Sequence, residues 1–541
     1  MNKEASATQK LAMSLLTKAV EKKTSDLHIK PFMQGSEVRF RIDGLLQRVT
    51  QLPGAVAERL IRYFKANAED MEPTISHVPQ DGRMSLSIGE QDFDLRISVL
   101  PAKGGENLVI RFLEQGKSYS LTQTGMSTAA IQLIRQLLTS PSGMIVMTGP
   151  TGSGKSTTLY AMLNELNRVD INITSIEDPV EYRLQGTTQV SVNEKAGLTF
   201  PAVIKACLRQ DPDILLIGEI RDELTARTAV QAAITGHLVL TTLHTNDAIT
   251  TVSRLEDLGV TPVLLSEALV GVIAQRLVRR LCNGCRVQVD TEKLNVEETA
   301  FKKLTRIYPA FRAGEGCDSC DNTGYSGRVP ITEFFVPEQD VSQFMTVENG
   351  NREQLQASNK TKLNSLSGSA ARMVVSGETS ISEAARVLGK KFWDGIALEY
   401  GSKPLSVIPV SEANQTSQHT ILLISSDEKL INALSHEASL HRYGFLHSET
   451  AEKASDLLHK HDETFYVIVD LKDVSDEENV QWIHQARQSL SWSYLPALLL
   501  LPADHNELEA KLIDHGAISD MLQKPVTAQA IIQKIRKYSL D

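Results

Sequence analysis

The residues that point most directly to a chemistry are the glycines, hydroxyls and lysine of the run GPTGSGKSTT at 149–158. The run follows an apolar segment at 144–147 and leads into LYAMLNELNRV, so the local order is strand, glycine loop, helix. Glycines let backbone N–H groups converge on phosphate oxygens at a helix N-terminus, where the helix dipole favours anions. Every position of the phosphate-loop pattern is occupied, so we predict a nucleoside triphosphate site rather than an ordinary glycine-rich turn.

Two side chains of this loop have separate predicted roles. Lys155 is expected to reach the β- and γ-phosphates of the nucleotide. Ser156 is expected to place its hydroxyl on Mg²⁺, which prefers oxygen ligands and shares its coordination shell with substrate phosphates. The predicted nucleotide-binding positions of the loop are Gly149, Pro150, Thr151, Gly152, Ser153, Gly154, Lys155, Ser156 and Thr157.

Acidic side chains follow two predicted strands, and phosphoryl transfer needs such groups to order magnesium and the attacking water. Glu177 and Asp178 stand before a proline in SIEDPVEY, and Glu219 follows DILLIG. Solvated acids are common at strand ends, but two sets of them beside an intact phosphate loop favour a role in the nucleotide site. The sequence leaves open whether Glu177 or Glu219 is the catalytic base.

Four of the five cysteines form two CxxC pairs, in LCNGC and GCDSC. Cys282, Cys285, Cys317 and Cys320 therefore have the spacing of a closed tetrahedral zinc site. Two redox motifs are the alternative, which is disfavoured because no thioredoxin-like context surrounds the pairs. The remaining cysteine, Cys207, is expected to be a small buried hydrophobic residue.

Composition limits the class of protein that can carry these sites. The chain has 541 residues, 41% of them hydrophobic, which suits three or four packed domains. A net charge of −10 argues against nonspecific binding to nucleic acid or to an anionic membrane. The apolar runs are far shorter than the roughly 20 residues that span a bilayer, and no signal-peptide core is present. We expect a cytoplasmic protein without disulfides.

The elements that position these residues follow from changes in hydrophobic periodicity. Alternating segments near the N-terminus indicate an antiparallel sheet with one buried face, whereas short apolar strands between helices indicate a parallel sheet around the phosphate loop. The predicted segments are an α+β domain at 1–120, an α/β core at 121–280, a cysteine-bearing and mainly helical subdomain at 281–402, a linker at 403–419 and a second α/β domain at 420–541.

The order of the motifs resembles the secretion ATPase superfamily, in particular the type II secretion and type IV pilus assembly ATPases. Four family motifs stand in sequence: the Walker A loop at 149–156, the Asp box IEDPVEY at 176–182, the Walker B segment DPDILLIGEIRD at 211–222 and the His box GHLVLTTLHTNDA at 236–248. The resemblance covers about residues 20–400. It implies a RecA-like core preceded by a PAS-like α+β domain.

This resemblance also implies roles for individual residues. Glu219 is then the Walker B carboxylate and Glu177 the other water-activating candidate, while His237 and His244 sense the γ-phosphate side. In this family the N-terminal domain supplies arginines to the nucleotide of a neighbouring subunit, so a homohexamer is implied. Arg96 and Arg111 are the best arginine-finger candidates here, with Arg83 third.

The tetracysteine motif is similar to that of assembly and secretion ATPases and is typically absent from pilus retraction ATPases. The resemblance implies a zinc-folded subdomain that faces a platform protein of the inner membrane, which would hold the cytoplasmic motor at that membrane. Assembly-type relatives often carry a further N-terminal domain for recruitment, and this chain is expected to lack that route because it begins almost directly at the arginine-finger domain.

The C-terminal segment resembles a response-regulator receiver of flavodoxin-like fold. Asp470 ends a strand in FYVIVDL, and Lys524 occupies the position of the receiver lysine. A receiver also needs an acidic pair to hold Mg²⁺, but Ser425 and Ser426 stand at those positions with only Asp427 beside them. We expect a degenerate receiver that contacts a regulator; phosphorylation of Asp470 is the alternative.

The leading hypothesis is a hexameric ATPase that drives assembly of a type IV pilus or a type II secretion pseudopilus. The nearest alternative is a retraction or DNA-uptake motor of the same superfamily. A signalling scaffold switched by nucleotide binding is a second class, and the intact Glu177 and Glu219 argue against it. A nucleic-acid translocase is disfavoured by the acidic balance and by an aromatic content of only 5%.

Overall fold

The computed structural model describes residues 2–32, 35–116, 120–337, 365–405, 420–440, 443–460, 464–471, 497–502 and 520–535. The chain divides into two units, one made of residues 1–114 and 412–541 and the other of residues 115–411. Among the described residues, none of the helices is both long and apolar enough to cross a lipid bilayer.

The N-terminal part is a six-stranded antiparallel sheet with the strand order β3-β2-β1-β6-β5-β4. Its elements are α1 (Asn2–Glu21), β1 (Asp26–Phe32), β2 (Gly35–Ile42), β3 (Leu45–Pro53), α2 (Gly54–Asn67), β4 (Gln80–Ile88), β5 (Gln91–Ala102) and β6 (Gly105–Glu114). Leu15 of α1 and Phe64 of α2 are buried in one core with Leu27 and Phe40 of the sheet. The predicted antiparallel sheet with one buried face is confirmed.

The second unit is built on a sheet whose first six strands all pair in parallel. Its elements are α3 (Thr128–Leu138), β7 (Gly143–Thr148), α4 (Lys155–Leu166), β8 (Ile173–Glu177), β9 (Thr187–Ser191), α5 (Phe200–Cys207), β10 (Ile214–Ile217), α6 (Glu223–Ile234), β11 (Leu238–Leu243), α7 (Ala248–Asp257), α8 (Pro262–Ala268) and β12 (Leu269–Leu281). Every residue of β7 is buried, because helices cover both faces of the sheet. Met144 and Val146 pack on one face, whereas Ile145 and Met147 pack on the other.

The residues after 281 form the cysteine-bearing part of the chain and also add one strand to this sheet. The elements are β13 (Val287–Gln288), α9 (Val296–Thr305), β14 (Phe311–Arg312), β15 (Tyr325–Phe335), α10 (Leu366–Ser376), α11 (Ile381–Leu388) and α12 (Lys390–Glu399). The order of the finished sheet is β15-β12-β7-β11-β10-β8-β9, with β15 antiparallel to β12. Our description of this region as mainly helical missed β15, because Gly327 and Pro330 weaken its strand pattern. Pro330 is tolerated because β15 is an edge strand.

The C-terminal domain is a five-stranded parallel sheet with the order β17-β16-β18-β19-β20. Its elements are β16 (Thr420–Ile424), α13 (Glu428–Leu440), β17 (Gly444–Ser448), α14 (Ala451–Lys460), β18 (Thr464–Asp470), β19 (Ala497–Leu501), β20 (Asp520–Gln523) and α15 (Ala528–Ile535). Counted within the domain, this is the order 2-1-3-4-5 of flavodoxin-like folds. The predicted receiver-type α/β fold is therefore confirmed.

Candidate functional site

The phosphate loop leaves the carboxyl end of β7 and leads into α4, as the sequence predicts. Gly154 precedes the helix with a φ of 84°, a left-handed conformation that favours glycine. Lys155 Nζ donates hydrogen bonds to the carbonyl oxygens of Gly149 (2.8 Å) and Pro150 (3.3 Å), which holds the ammonium group at the loop. Burial lowers the pKa of Lys155, and the negative charge of Glu219 acts against that shift.

Glu177 ends β8 and is 6% exposed. Its Oε1 accepts a hydrogen bond from Ser175 Oγ (2.6 Å), and its Oε2 accepts one from the Tyr160 hydroxyl of α4. Burial raises the pKa of Glu177, and the hydrogen bonds from Ser175 and Tyr160 oppose that rise. The site therefore holds a carboxylate that is oriented by two hydroxyl groups and is more basic than an ordinary glutamate.

Glu219 follows β10, the strand next to β8, and Gly218 allows the end of β10 to approach β8 closely. The Gly218 N–H donates to the Ile176 carbonyl oxygen at 2.8 Å, and a Cβ at Gly218 would lie only 3.2 Å from that oxygen. Glu219 Oε1 forms an ion pair with Arg221, and its Oε2 lies 3.4 Å from His244 Nε2. Glu219 is thus placed by the local backbone and held by cationic and imidazole partners.

Arg221 connects the two acidic segments, since its Nη1 also lies 3.6 Å from Asp178 Oδ2. Because β8, β10 and β11 run parallel to β7, the residues that follow them gather at the edge of the sheet that carries the phosphate loop. The structure brings together at this edge the candidates Lys155, Ser156, Glu177, Asp178, Glu219 and His244. Side chains at this edge can bind phosphate groups, bind a metal ion and transfer a proton.

His237 does not belong to this group, which corrects the role that we assigned to it from the resemblance. It precedes β11 at the opposite edge of the sheet, where its carbonyl oxygen accepts a hydrogen bond from the first residue of β7. Its Nδ1 lies 3.0 Å from the Ala232 carbonyl oxygen. The strand between His237 and His244 has six residues, roughly 20 Å of extended chain. Within one chain, His237 cannot contact a γ-phosphate at the loop.

The three candidate finger arginines form a row across the N-terminal sheet. Arg83 pairs with Arg96, and Arg96 pairs with Arg111, so that their side chains leave the same face of adjacent strands. Arg111 Nε donates to Asp26 Oδ1 at 2.9 Å, which anchors one end of the row. The three guanidinium groups carry like charges on adjacent strands and therefore repel one another. Together they create a local positive potential, which suits an anion.

Three residues that contact the site were missed by sequence reasoning. Tyr160 and Ser175 orient Glu177, and Gln275 of β12 forms hydrogen bonds with the phosphate loop and α4. A tyrosine in a helix and a serine in a strand carry no spacing signal. The only available sign for Gln275 was a polar residue within the apolar strand pattern of β12.

The four paired cysteines form one compact cluster. Their Sγ atoms all lie within 4.8 Å of one another, with separations of 3.7 Å for Cys282–Cys317 and 3.8 Å for Cys285–Cys320 and Cys317–Cys320. Tetrahedral zinc with Zn–S bonds of about 2.3 Å requires S···S separations of about 3.8 Å, so the donor set fits the metal. Cys207 is instead buried in α5 among apolar side chains, as expected.

The backbone around this cluster is shaped for four thiolates. The N–H groups of Cys317 and Gly324 each donate to Cys320 Sγ at 3.3 Å, the kind of contact that supports a negatively charged sulfur. Gly316 has a φ of 114°, and a Cβ there would overlap the backbone of Asn322. Zinc bound to these cysteines would supply a structural crosslink between the end of β12 and the segment before β15.

At the end of β18 the receiver-like domain has Ser425 where a receiver carries an acidic residue. Asp470 Oδ2 accepts a hydrogen bond from Ser425 Oγ (2.7 Å), and Lys524 pairs with Oδ1. Asp427 Oδ1 accepts from the N–H of Lys429, so it caps the start of α13. Thus Asp470 is held by a hydroxyl and an ammonium group, and the remaining acid is used by a helix.

The family model of the "Type II/IV secretion system protein" matches residues 1–386 of this chain. The type II secretion system protein HxcR of Pseudomonas aeruginosa is 41% identical over 375 residues, which cover 69% of this chain and 76% of that protein. The type II secretion system ATPase E of Vibrio cholerae is 39% identical over 381 residues, covering 70% and 75%.

Among solved structures, the ATPase DotB of Yersinia pseudotuberculosis superposes with a TM-score of 0.51 and 18% sequence identity. The match covers 72% of this chain and 93% of that chain. At this level of identity the likeness concerns the fold alone.

Removing one of the hydroxyls that orient Glu177 should shift the pH dependence of turnover. Because a base must be deprotonated, activity that depends on Glu177 is lost as the pH falls through its raised pKa. The Tyr160 hydrogen bond opposes this rise, so Tyr160→Phe should move the acidic limb of kcat/KM to higher pH. The measurement is the pH profile of ATP hydrolysis, with Tyr308→Phe, a change at an exposed tyrosine, as the control. An unchanged limb, or a shift to lower pH, would contradict a Glu177 base.

Loss of one thiolate should remove the metal from the tetracysteine site. Cys317→Ser is expected to lower the zinc content from about one ion per chain to a small fraction and to lower the melting temperature, because a structural site of this kind needs all four ligands. Metal analysis by mass spectrometry and thermal unfolding provide the measurements, and Cys207→Ala is the matched control. Full zinc occupancy in Cys317→Ser would refute the assignment.

Proposed function

The chain belongs to the type II/IV secretion system protein family, whose members hydrolyse ATP, and we propose that it is a hexameric motor that drives assembly of a type II secretion pseudopilus or a type IV pilus. The observation that carries this proposal is the convergence of Lys155, Glu177 and Glu219 at one edge of the parallel core. A chain that only bound nucleotide would not need two acidic segments beside the γ-phosphate position.

The environments of the two glutamates suggest a division of labour. Glu177 is buried among hydroxyl groups and has a raised pKa, so it is the better proton acceptor for the attacking water. Glu219 pairs with Arg221 and faces His244. These contacts suit Glu219 to join the coordination shell of Mg²⁺ and to sense the γ-phosphate side. Lys155 and the N–H groups of the loop bind the phosphates, and Ser156 completes the magnesium site.

The arginine row supports completion of this site by a neighbouring subunit. Arg83, Arg96 and Arg111 belong to the other unit of the chain, on a sheet face with an excess of positive charge. Guanidinium groups are permanently charged and bridge phosphate oxygens with paired hydrogen bonds. Arginines that act in trans link each site to the next, so hydrolysis in one subunit changes the orientation of its neighbour and produces force.

The tetracysteine cluster favours assembly over retraction, because the resemblance gives this motif to assembly and secretion ATPases. Zinc would fold the subdomain that contacts a platform protein of the inner membrane, and this contact would keep a cytoplasmic motor at its site of work. The receiver-like domain, with Asp470 held by Ser425 and Lys524, would serve as a contact domain for a regulator rather than as a phosphoryl acceptor.

The motor function requires a working phosphate loop. Lys155→Ala is expected to reduce ATP turnover of the purified full-length protein at least about 100-fold, because the ammonium group stabilises charge on the transferred phosphoryl group. The same substitution should abolish surface fibres or secretion in a strain that carries only the variant. The matched control is Lys205→Ala, since Lys205 is an exposed lysine of α5. Wild-type protein without ATPase activity, or normal export with Lys155→Ala, would refute the proposal, and accumulation of fibres on deletion of the gene would indicate a retraction motor.

Mixing of variants tests whether the arginines act in trans. Arg96→Ala alone and Lys155→Ala alone should each be nearly inactive, because loss of an arginine finger costs about 1,000-fold or more in turnover. In a mixed ring, a chain that keeps Lys155 can receive Arg96 from a neighbour, so co-assembled variants should regain a fraction of wild-type turnover. The control is Arg62→Ala, which removes an exposed arginine paired with Glu58. Absence of recovery in verified mixed rings would exclude a trans arrangement.

A further inference from the structure

The strand β12 runs directly beside the phosphate loop. It pairs in parallel with β7 as far as Ala274 opposite Thr148, so the next residues of the two segments, Gln275 and Gly149, are neighbours. A Cβ at Gly149 would overlap the backbone carbonyl oxygen of Gln275, and Gly149 has a φ of 144°. The first glycine of the loop is therefore required by the close approach of β12 as well as by its own conformation.

The side chain of Gln275 reaches the far end of the loop. It is 1% exposed; its Nε2 donates to the carbonyl oxygen of Ser153 at 2.7 Å, and its Oε1 accepts from Thr158 Oγ1 at 2.9 Å. A Cβ at Gly154 would lie 2.9 Å from the same Nε2. One buried amide thus joins the last turn of the loop to the first turn of α4.

We infer that Gln275 is a positioning residue that orients the backbone of the phosphate loop for nucleotide binding; this inference rests on the proposed nucleotide site. In a trans peptide the C=O group and the following N–H group point in opposite directions. The hydrogen bond from Gln275 turns the Ser153 carbonyl towards β12, and the Gly154 N–H therefore points away from β12. Anion binding by the loop depends on that direction of its N–H groups.

An amide of this length is the group that the position requires. The Ser153 carbonyl oxygen needs a hydrogen-bond donor, and the Thr158 hydroxyl needs an acceptor. Because the position is buried, one uncharged side chain must provide both groups. Glutamate would present an acceptor to the Ser153 carbonyl, and methionine would fill the space without either hydrogen bond. Loss of the donor leaves the Ser153 carbonyl free to rotate, which redirects the Gly154 N–H.

The test measures binding of a fluorescent ADP with Mg²⁺ to the full-length protein, together with KM and kcat for ATP. Gln275→Met should weaken ADP affinity about 10-fold or more, since it removes two buried hydrogen bonds at the loop. Thr158→Val removes only the bond at the Gln275 acceptor and should weaken affinity about threefold. The double variant should bind ADP as weakly as Gln275→Met alone, because both changes act through one interaction.

The control is Thr305→Val, which removes a comparably buried hydroxyl in α9 that donates to the Phe301 carbonyl oxygen. It should lower the melting temperature without changing ADP affinity or KM for ATP. If Gln275→Met only lowered stability, it would behave as Thr305→Val does, with a lower melting temperature and an unchanged KM. If Gln275 positions the loop, the folded fraction of Gln275→Met should have a higher KM for ATP. If Gln275→Met does not fold, the ADP affinity and KM of Thr158→Val, compared with those of Thr305→Val, decide whether Gln275 positions the loop.

Unchanged ADP affinity in Gln275→Met, or in Thr158→Val where that variant decides, would overturn the inference. Losses that multiply in the double variant would also overturn it, because independent effects would then explain them. Wild-type protein that binds ADP but does not hydrolyse ATP would contradict the motor function alone, since the binding measurements need no turnover. Wild-type protein that does not bind ADP would overturn both proposals.

Discussion

The parallel pairing of β7 with β11 on one side and β12 on the other is the arrangement on which the nucleotide site depends. A phosphate loop presents its own backbone as the ligand, so its peptide groups must be held by neighbours rather than by a helix or strand of their own. On the side of β11, Thr148 Oγ1 lies 2.7 Å from Thr245 Oγ1 and accepts from the Thr245 N–H at 3.0 Å. On the side of β12, Gln275 provides the corresponding contacts. The loop is thus held from both neighbouring strands, at Thr148 before its start and at Ser153 near its end.

The two carboxylates at this edge of the sheet, those of Glu177 and Glu219, have different surroundings. Glu177 is surrounded by hydroxyl donors in a buried place, which favours a group that exchanges a proton. Glu219 is held by Arg221 and His244, whose side chains are more exposed than its own. The contrast follows from what covers each residue, because Tyr160 of α4 contacts Glu177, whereas the partners of Glu219 are half-exposed side chains.

The sequence predicted what is encoded locally and missed what is encoded by pairing of distant segments. The phosphate loop, the CxxC pairs and the alternation of the strands are short-range patterns, and the structure contains each of them. Gln275 contacts residues more than 115 positions away, and β15 joins the sheet in spite of a glycine and a proline, so neither leaves a local signal. His237 shows the opposite error: a motif groups it with His244, but an extended strand places the two histidines at opposite edges of the sheet.

β12 crosses the position near residue 280 at which hydrophobic periodicity predicts the boundary between the α/β core and the cysteine-bearing subdomain. β12 carries Gln275 at the phosphate loop and is followed directly by Cys282 of the tetracysteine cluster, seven residues or roughly 23 Å further along. Between them, Arg279 forms an ion pair with Glu383, whose side chain is fully buried. Burial alone would raise the pKa of Glu383, but hydrogen bonds from Arg386 and Arg279 hold it below its usual range, so the carboxylate stays charged and the pair intact. One strand and the residue that follows it therefore contact the phosphate loop through Gln275, Glu383 through Arg279 and the tetracysteine cluster through Cys282.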